Sequence, residues 1–122
     1  MAYIIRLEDL CRREEQICMA LVRSLTDLAF ALVRLAEIEI ACEDENPSHA
    51  AELIASAGTS RQAALEFLED VAWEAASEKA DLEERVKQLS RAIHAADWHR
   101  RQLTESMLRA PRLVDRGKGR VN

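Results

Sequence analysis

LEFLEDVAWEAASEKADLEERVKQLSRAIHAADWHRRQLTESMLRA, residues 65–110, holds one heptad register from end to end. Leu65, Ala72, Lys79, Val86, Ile93, Arg100 and Met107 occupy one position of the repeat, and Leu68, Ala75, Leu82, Leu89, Ala96, Leu103 and Ala110 follow three residues on. Neither Gly nor Pro interrupts it. A seven-residue apolar repeat keeps one seam of a helix against a partner helix, so the pattern predicts a coiled coil or helical bundle rather than a mixed fold.

Upstream, a first helix is predicted over about residues 5–42. Leu7, Leu10, Cys11, Ile17, Cys18, Leu21, Leu25, Leu28, Ala31, Leu32, Leu35, Ile38 and Cys42 form one broad stripe on it. Met19, Val22, Phe30, Val33 and Ile40 lie off that stripe, so the helix is expected to touch partners on more than one side. The run Glu43, Asp44, Glu45, Asn46, Pro47 ends it, because acids are unfavourable at a helix C-terminus and Pro47 restricts the residue before it. Asn46 can then cap a short helix over 47–57 that begins at Pro47 and stops at Gly58. Thr59 followed by Gln62 is a capping-box pattern, and it opens a last helix over 60–110, with Ser77 or Ser90 as the places for a break and Pro111 as its stop. Residues 111–122 have no period and two glycines, which reads as a flexible basic tail.

The expected architecture is therefore all-α: a single helical domain over 1–110, built as a long antiparallel hairpin with a short connecting helix and completed as a bundle by oligomerisation. Composition agrees with the class. Of 122 residues, 48% are hydrophobic and 32% charged, with three Gly, two Pro and five aromatics, which leaves little from which to build a sheet. In an antiparallel hairpin the polar seam residues Lys79 and Arg100 would meet Asp27 and Glu8. Phe67, Trp73 and Trp98 fall away from the seam, which suggests either a second contact surface or packing by the short helix or by Tyr3, Ile4 and Ile5. An Asp at Leu28 or Leu89 is expected to unfold or dissociate such a seam.

Charge is unevenly distributed. Residues 1–84 carry 19 acids and 7 bases, residues 85–122 carry 3 acids and 10 bases, and the whole chain is at −5. The basic end, Arg100, Arg101, Arg109, Arg112, Arg116, Lys118 and Arg120, is a candidate anion-binding set, although it lacks the interleaved aromatics of a nucleic-acid footprint. The N-terminal sequence has no basic start, long apolar core and small-residue cleavage site, so no secretory signal is expected. Arg23, Asp27, Arg34, Glu37 and Glu39 make a membrane span costly in the most apolar stretch, and a cytoplasmic protein with no membrane partner is expected. Cys11, Cys18 and Cys42 are odd in number and lack CxxC spacing, which reads as reduced core thiols.

Catalytic constellations are weak. No Glu precedes a His by three residues, as a two-metal bundle site would require, so no metal or other cofactor is expected. His94, Asp97, Trp98 and His99 cluster within two turns, yet no Ser or Cys stands beside them as a nucleophile. No Gly-rich phosphate loop is present, and an enzyme is not expected. The favoured function is a non-catalytic protein-binding module, an adaptor, assembly factor or inhibitor, with itself or another protein as partner. Its expected interface is Leu21, Leu25, Leu28, Phe30, Leu32, Val33, Leu82, Val86, Leu89, Ile93 and Trp98. The alternative is a small subunit of a nucleoprotein complex using the basic end. A weaker alternative is an inhibitor whose acidic belt, between Glu37 and Glu84, mimics nucleic acid.

Overall fold

A computed structural model describes the backbone of residues 2–42, 47–70 and 73–121 and the side chains of 12–42, 48–70 and 73–108. Three helices follow one another: α1 (Ala2–Cys42), α2 (Pro47–Asp70) and α3 (Ala76–Val121). No strand occurs among the described residues.

Each helix buries residues three and four apart, but the residues chosen in α1 differ from the stripe read from sequence. Glu15, Cys18, Val22, Thr26, Ala29, Val33 and Ala36 are its buried positions. They meet Ala50, Ile54, Ala57, Ala64 and Leu68 of α2 and Leu82, Val86, Leu89 and Ala96 of α3. Ala29 and Ala36 on α1 and Ala50, Ala57 and Ala64 on α2 recur at seven-residue steps. With only a methyl group at these layers the two backbones can approach closely, which makes α1 against α2 the most extensive helix pair.

Direction follows from the partners. One core cluster joins Ala29, Val33 and Ala36 to Ala50, Ile54 and Ala57, and the other joins Val22 to Ala64 and Leu68, so α2 runs back along α1. Between α1 and α3 the contacts advance together: Glu15 reaches Ala75, Thr26 reaches Arg85 and Glu37 reaches His99. α3 is therefore parallel to α1, and the antiparallel partner of α1 is α2. The expected pairing of Asp27 with Lys79 is replaced by Asp27 with Arg85. Arg100 bonds to Asp97 on its own helix at 3.0 Å, and the Glu8 side chain lies outside the described residues.

The break between the last two helices is also displaced. α2 starts at Pro47 but continues through Gly58 to Asp70. An isolated glycine inside a packed helix costs about 1 kcal/mol against alanine, too little to stop a helix anchored by Ala57 on one side and Ala64 on the other. Thr59 does not cap. Its hydroxyl donates to the Ala55 carbonyl one turn back, at 3.1 Å, as Thr commonly does within a helix. Ser90 likewise bonds the Val86 carbonyl at 3.0 Å without a break.

α2 ends instead at Asp70 and α3 begins at Ala76, and the described residues between them, 73–75, are non-helical with no Gly or Pro to mark the break. The chain is held there by two side chains. The indole N–H of Trp73 donates to the Leu68 carbonyl (3.0 Å), satisfying the C-terminus of α2. The Oε1 of Glu15, on α1, accepts from the backbone N–H groups of Glu74 (3.2 Å) and Ala75 (2.9 Å), which open α3. Valine, alanine, tryptophan and alanine at 71, 72, 73 and 75 offer no short polar cap, so a carboxylate from another helix does that work. At the far end α3 is helical through Pro111 to Val121, past the stop expected there. A proline removes one helical hydrogen bond and kinks the helix without necessarily ending it.

Candidate docking surface on the first helix

Two apolar stripes run down α1, and the bundle core uses the one that appears weaker in sequence. The other consists of Ile17, Leu21, Leu28, Ala31, Leu35, Ile38 and Cys42, with Ser24 completing the series, and every one of these residues is exposed. Its large members are far from covered: Ile17 is 59% accessible, Leu28 51%, Leu35 51% and Ile38 53%. Steps of four, three, four, three, four, three and four residues place all eight on one line, the seam geometry of a coiled coil. Single exposed leucines need no explanation, but a continuous apolar line of this length does.

The stripe is held on a rigid support. The Thr26 hydroxyl donates to the Arg23 carbonyl (2.9 Å) and accepts from Arg85 Nε (2.7 Å), fixing α3 to the inner face of α1. The same guanidinium pairs with Asp27 and lies over the Phe30 ring, 5.4 Å from its centroid. Two histidines fasten the C-terminal half of α1. His49 of α2 lies 2.6 Å from Glu39, and His99 of α3 lies 2.8 Å from Glu37. Both clips lie on the flanks and leave the stripe open.

The residues expected to form an interface divide three ways. Val33, Leu82, Val86 and Leu89 are buried in the core of the chain's own bundle, and Leu25, Phe30, Leu32 and Ile93 are partly buried against it. Leu21 and Leu28 belong to the open stripe. Trp98, 59% accessible on α3, stands edge-on to His99 with ring centroids 5.4 Å apart. Ile17, Leu35 and Ile38 join Leu21 and Leu28 on the exposed stripe. All three belong to the broad apolar stripe of the sequence, but spacing alone does not say which stripe faces outward. Of the basic end, Arg100 and Arg101 both bond to Asp97, at 3.0 and 2.9 Å, while the side chains of Arg109, Arg112, Arg116, Lys118 and Arg120 lie outside the described residues.

Other features offer less chemistry. Arg23, Asp27, Asp81, Glu84, Arg85 and Gln88 line an open cleft of about 430 Å³, but its central cation is engaged by Thr26 and Asp27 and no nucleophile or His lines it. Among the described residues no group of His, Cys, Asp and Glu could hold a metal ion. Residues Arg12–Cys42 are long and apolar enough, by length and composition, to cross a membrane. No protein family, curated protein or solved structure matches the chain.

The cysteines are not uniformly core thiols. Cys18 is buried and Cys42 is exposed at the end of the stripe, while the Cys11 side chain lies outside the described residues. Burial, with Glu14 nearby as a smaller contribution, pushes the Cys18 thiol pKa above its ordinary value. Because the thiolate is the reactive form, maleimide should label Cys42 rapidly and Cys18 only after denaturation. Peptide mapping after timed labelling reads this directly, and equal rates at the two sites would place Cys18 at the surface.

Proposed function

We propose that this chain is a non-catalytic protein-binding module, an adaptor, assembly factor or inhibitor, that presents the outer face of α1 to a partner helix. The observation carrying this reading is the eight-position line from Ile17 to Cys42. All of it is exposed, and it is backed by a three-helix core that closes within the chain. A helix-in-helix seam is the recognition mode such spacing supports, with leucines and isoleucines as anchors. We place the module in an aqueous compartment, the cytoplasm. The charges of α1 that would oppose membrane insertion include Asp27, Glu37 and Glu39, each engaged with α2 or α3.

The test is a double substitution, Leu28→Asp with Leu35→Asp. Both side chains are half exposed, so the helical circular dichroism and the cooperative melt should persist. Recovery of bound proteins from the native host should fall at least tenfold, because two charges in a desolvated seam cost several kcal/mol of association. Undiminished recovery by a folded double variant would remove the stripe from the function.

A further inference from the structure

We propose that the occupant of the stripe is a second copy of this chain, its α1 laid antiparallel on the first with Leu28 against the partner's Ala31. The inference rests on the docking reading above and names its partner. It stands on two features of α1: the size order along the stripe, and the charges beside it.

The size order is Ile, Leu, Ser, Leu, Ala, Leu, Ile, Cys at positions 17, 21, 24, 28, 31, 35, 38 and 42. A parallel pair would set Ser24 on the partner's Ser24 and Ala31 on the partner's Ala31, two small-on-small layers that leave unfilled space along the seam. Turning the partner round removes the defect. Leu28 then faces the partner's Ala31, Leu35 the partner's Ser24, Leu21 the partner's Ile38 and Ile17 the partner's Cys42. Each small residue is opposed by a leucine, and large and small alternate across the central layers as tight packing requires.

Charge selects the register. On one flank of the stripe the row is Arg13, Ala20, Asp27, Arg34 and Ala41, all exposed. In the antiparallel register just described, Asp27 sits beside the partner's Arg34 and Arg34 beside the partner's Asp27, two attractive pairs related by the twofold axis. Sliding the partner by one heptad in one direction brings Asp27 against the partner's Asp27 and Glu14 against the partner's Ile38. Sliding it the other way brings Arg34 against the partner's Arg34. Of these three registers, only the unshifted one has no like-charge contact on this flank. Asp27 remains two-thirds exposed while pairing with Arg85, so it can accept a second cation, and among the described residues Arg34 has no acidic partner within the chain. On the opposite flank, Leu25 meets the partner's Leu32, which extends the apolar seam at residues only partly covered in the single chain.

The full chain tests this in two ways. Sedimentation equilibrium should give a dimer at micromolar concentration. Ile17→Cys, made with Cys11→Ser and Cys18→Ala, should form a disulfide between the introduced thiol and the partner's Cys42 on mild oxidation. The parent carrying Cys42 alone should stay uncrosslinked, since the two copies of Cys42 would lie about 37 Å apart at 1.5 Å per residue. Arg34→Asp and Asp27→Arg should each weaken association about tenfold, and mixing the two variants should restore a heterodimer near the parent affinity. Recovery on mixing is a result that a local effect at the Asp27–Arg85 pair would not give. A disulfide between two copies of Cys42 would overturn the antiparallel arrangement. A folded monomer at all accessible concentrations would overturn self-association while leaving docking of a different protein to the double Leu variant. A monomer that co-sediments with phosphatidylcholine–phosphatidylglycerol vesicles would assign the stripe to a bilayer and overturn both readings.

Discussion

Leu89→Asp should abolish the cooperative thermal transition of this protein, whereas Leu28→Asp should leave it in place. Leu89 is fully buried where α3 meets Ala29, Val33 and Ala36 of α1 and Ala50, Ile54 and Ala57 of α2. Losing its packed side chain costs about 2–5 kcal/mol by itself, and a carboxylate enclosed there without a partner adds several more. A domain of this size has about 5–15 kcal/mol in total, so the folded state does not survive. Leu28 is only half covered, and its aspartate points to water. Far-ultraviolet circular dichroism against temperature separates the two outcomes. A parallel loss at both positions would mean that the stripe, and not the assigned core, holds the fold together.

Glu15→Ala should lower stability by about 2–4 kcal/mol, a large effect for the loss of one carboxylate. The carboxylate is 6% exposed and accepts from two backbone N–H groups at the start of α3, neither of which has another acceptor in the helix. Removing it leaves both donors of these part-buried bonds without that acceptor. Glu15→Gln keeps a carbonyl oxygen in place without the charge and should lose about half as much. Urea unfolding of the two variants beside Glu83→Ala, a change on an exposed position, measures the difference. If Glu15→Ala behaved like Glu83→Ala, the carboxylate would be dispensable to the helix start.

The third helix was open to reading from its residues because only one of its faces is apolar. Leu82, Val86, Leu89, Ile93 and Ala96 follow the heptad, mostly charged and polar residues such as Glu83, Glu84, Arg85, Lys87, Gln88 and Arg91 lie between them, and the buried set is drawn from those five. The first helix is apolar on two faces, and period alone does not rank them. The wider stripe of Leu and Ile looks like the core, yet the narrower set with alanines and Thr26 is the one that allows α2 to pack closely. The break between Asp70 and Ala76 was hidden for a different reason. Its caps are Trp73 and Glu15, one an aromatic and the other some 60 residues away in the chain, and neither belongs to the short polar residues that announce a helix end locally. Gly58 and Thr59 carried the local signals, and tertiary packing overrode them. The anion-binding reading of the basic end was only partly reachable, since Asp97, which holds Arg100 and Arg101, follows from ordinary three- and four-residue helical spacing.

The contact from Glu15 to Ala75 also orders the folding reaction in time. α1 and α2 meet through a short connection, so their alanine layers can close at small entropic cost, and a parallel α3 cannot join until the chain has doubled back a second time. The carboxylate of Glu15 reaches its two amides only at that later stage, because the loop it closes is some 60 residues long. Until then α3 begins without a capped first turn, and helices of modest propensity nucleate poorly. The ribosome presents the segments in the same sequence. A nascent chain emerging through α2 can already bury much of its inner face, while the outer leucines of α1 stand uncovered throughout synthesis and are free to find a neighbour before the last helix has left the exit tunnel.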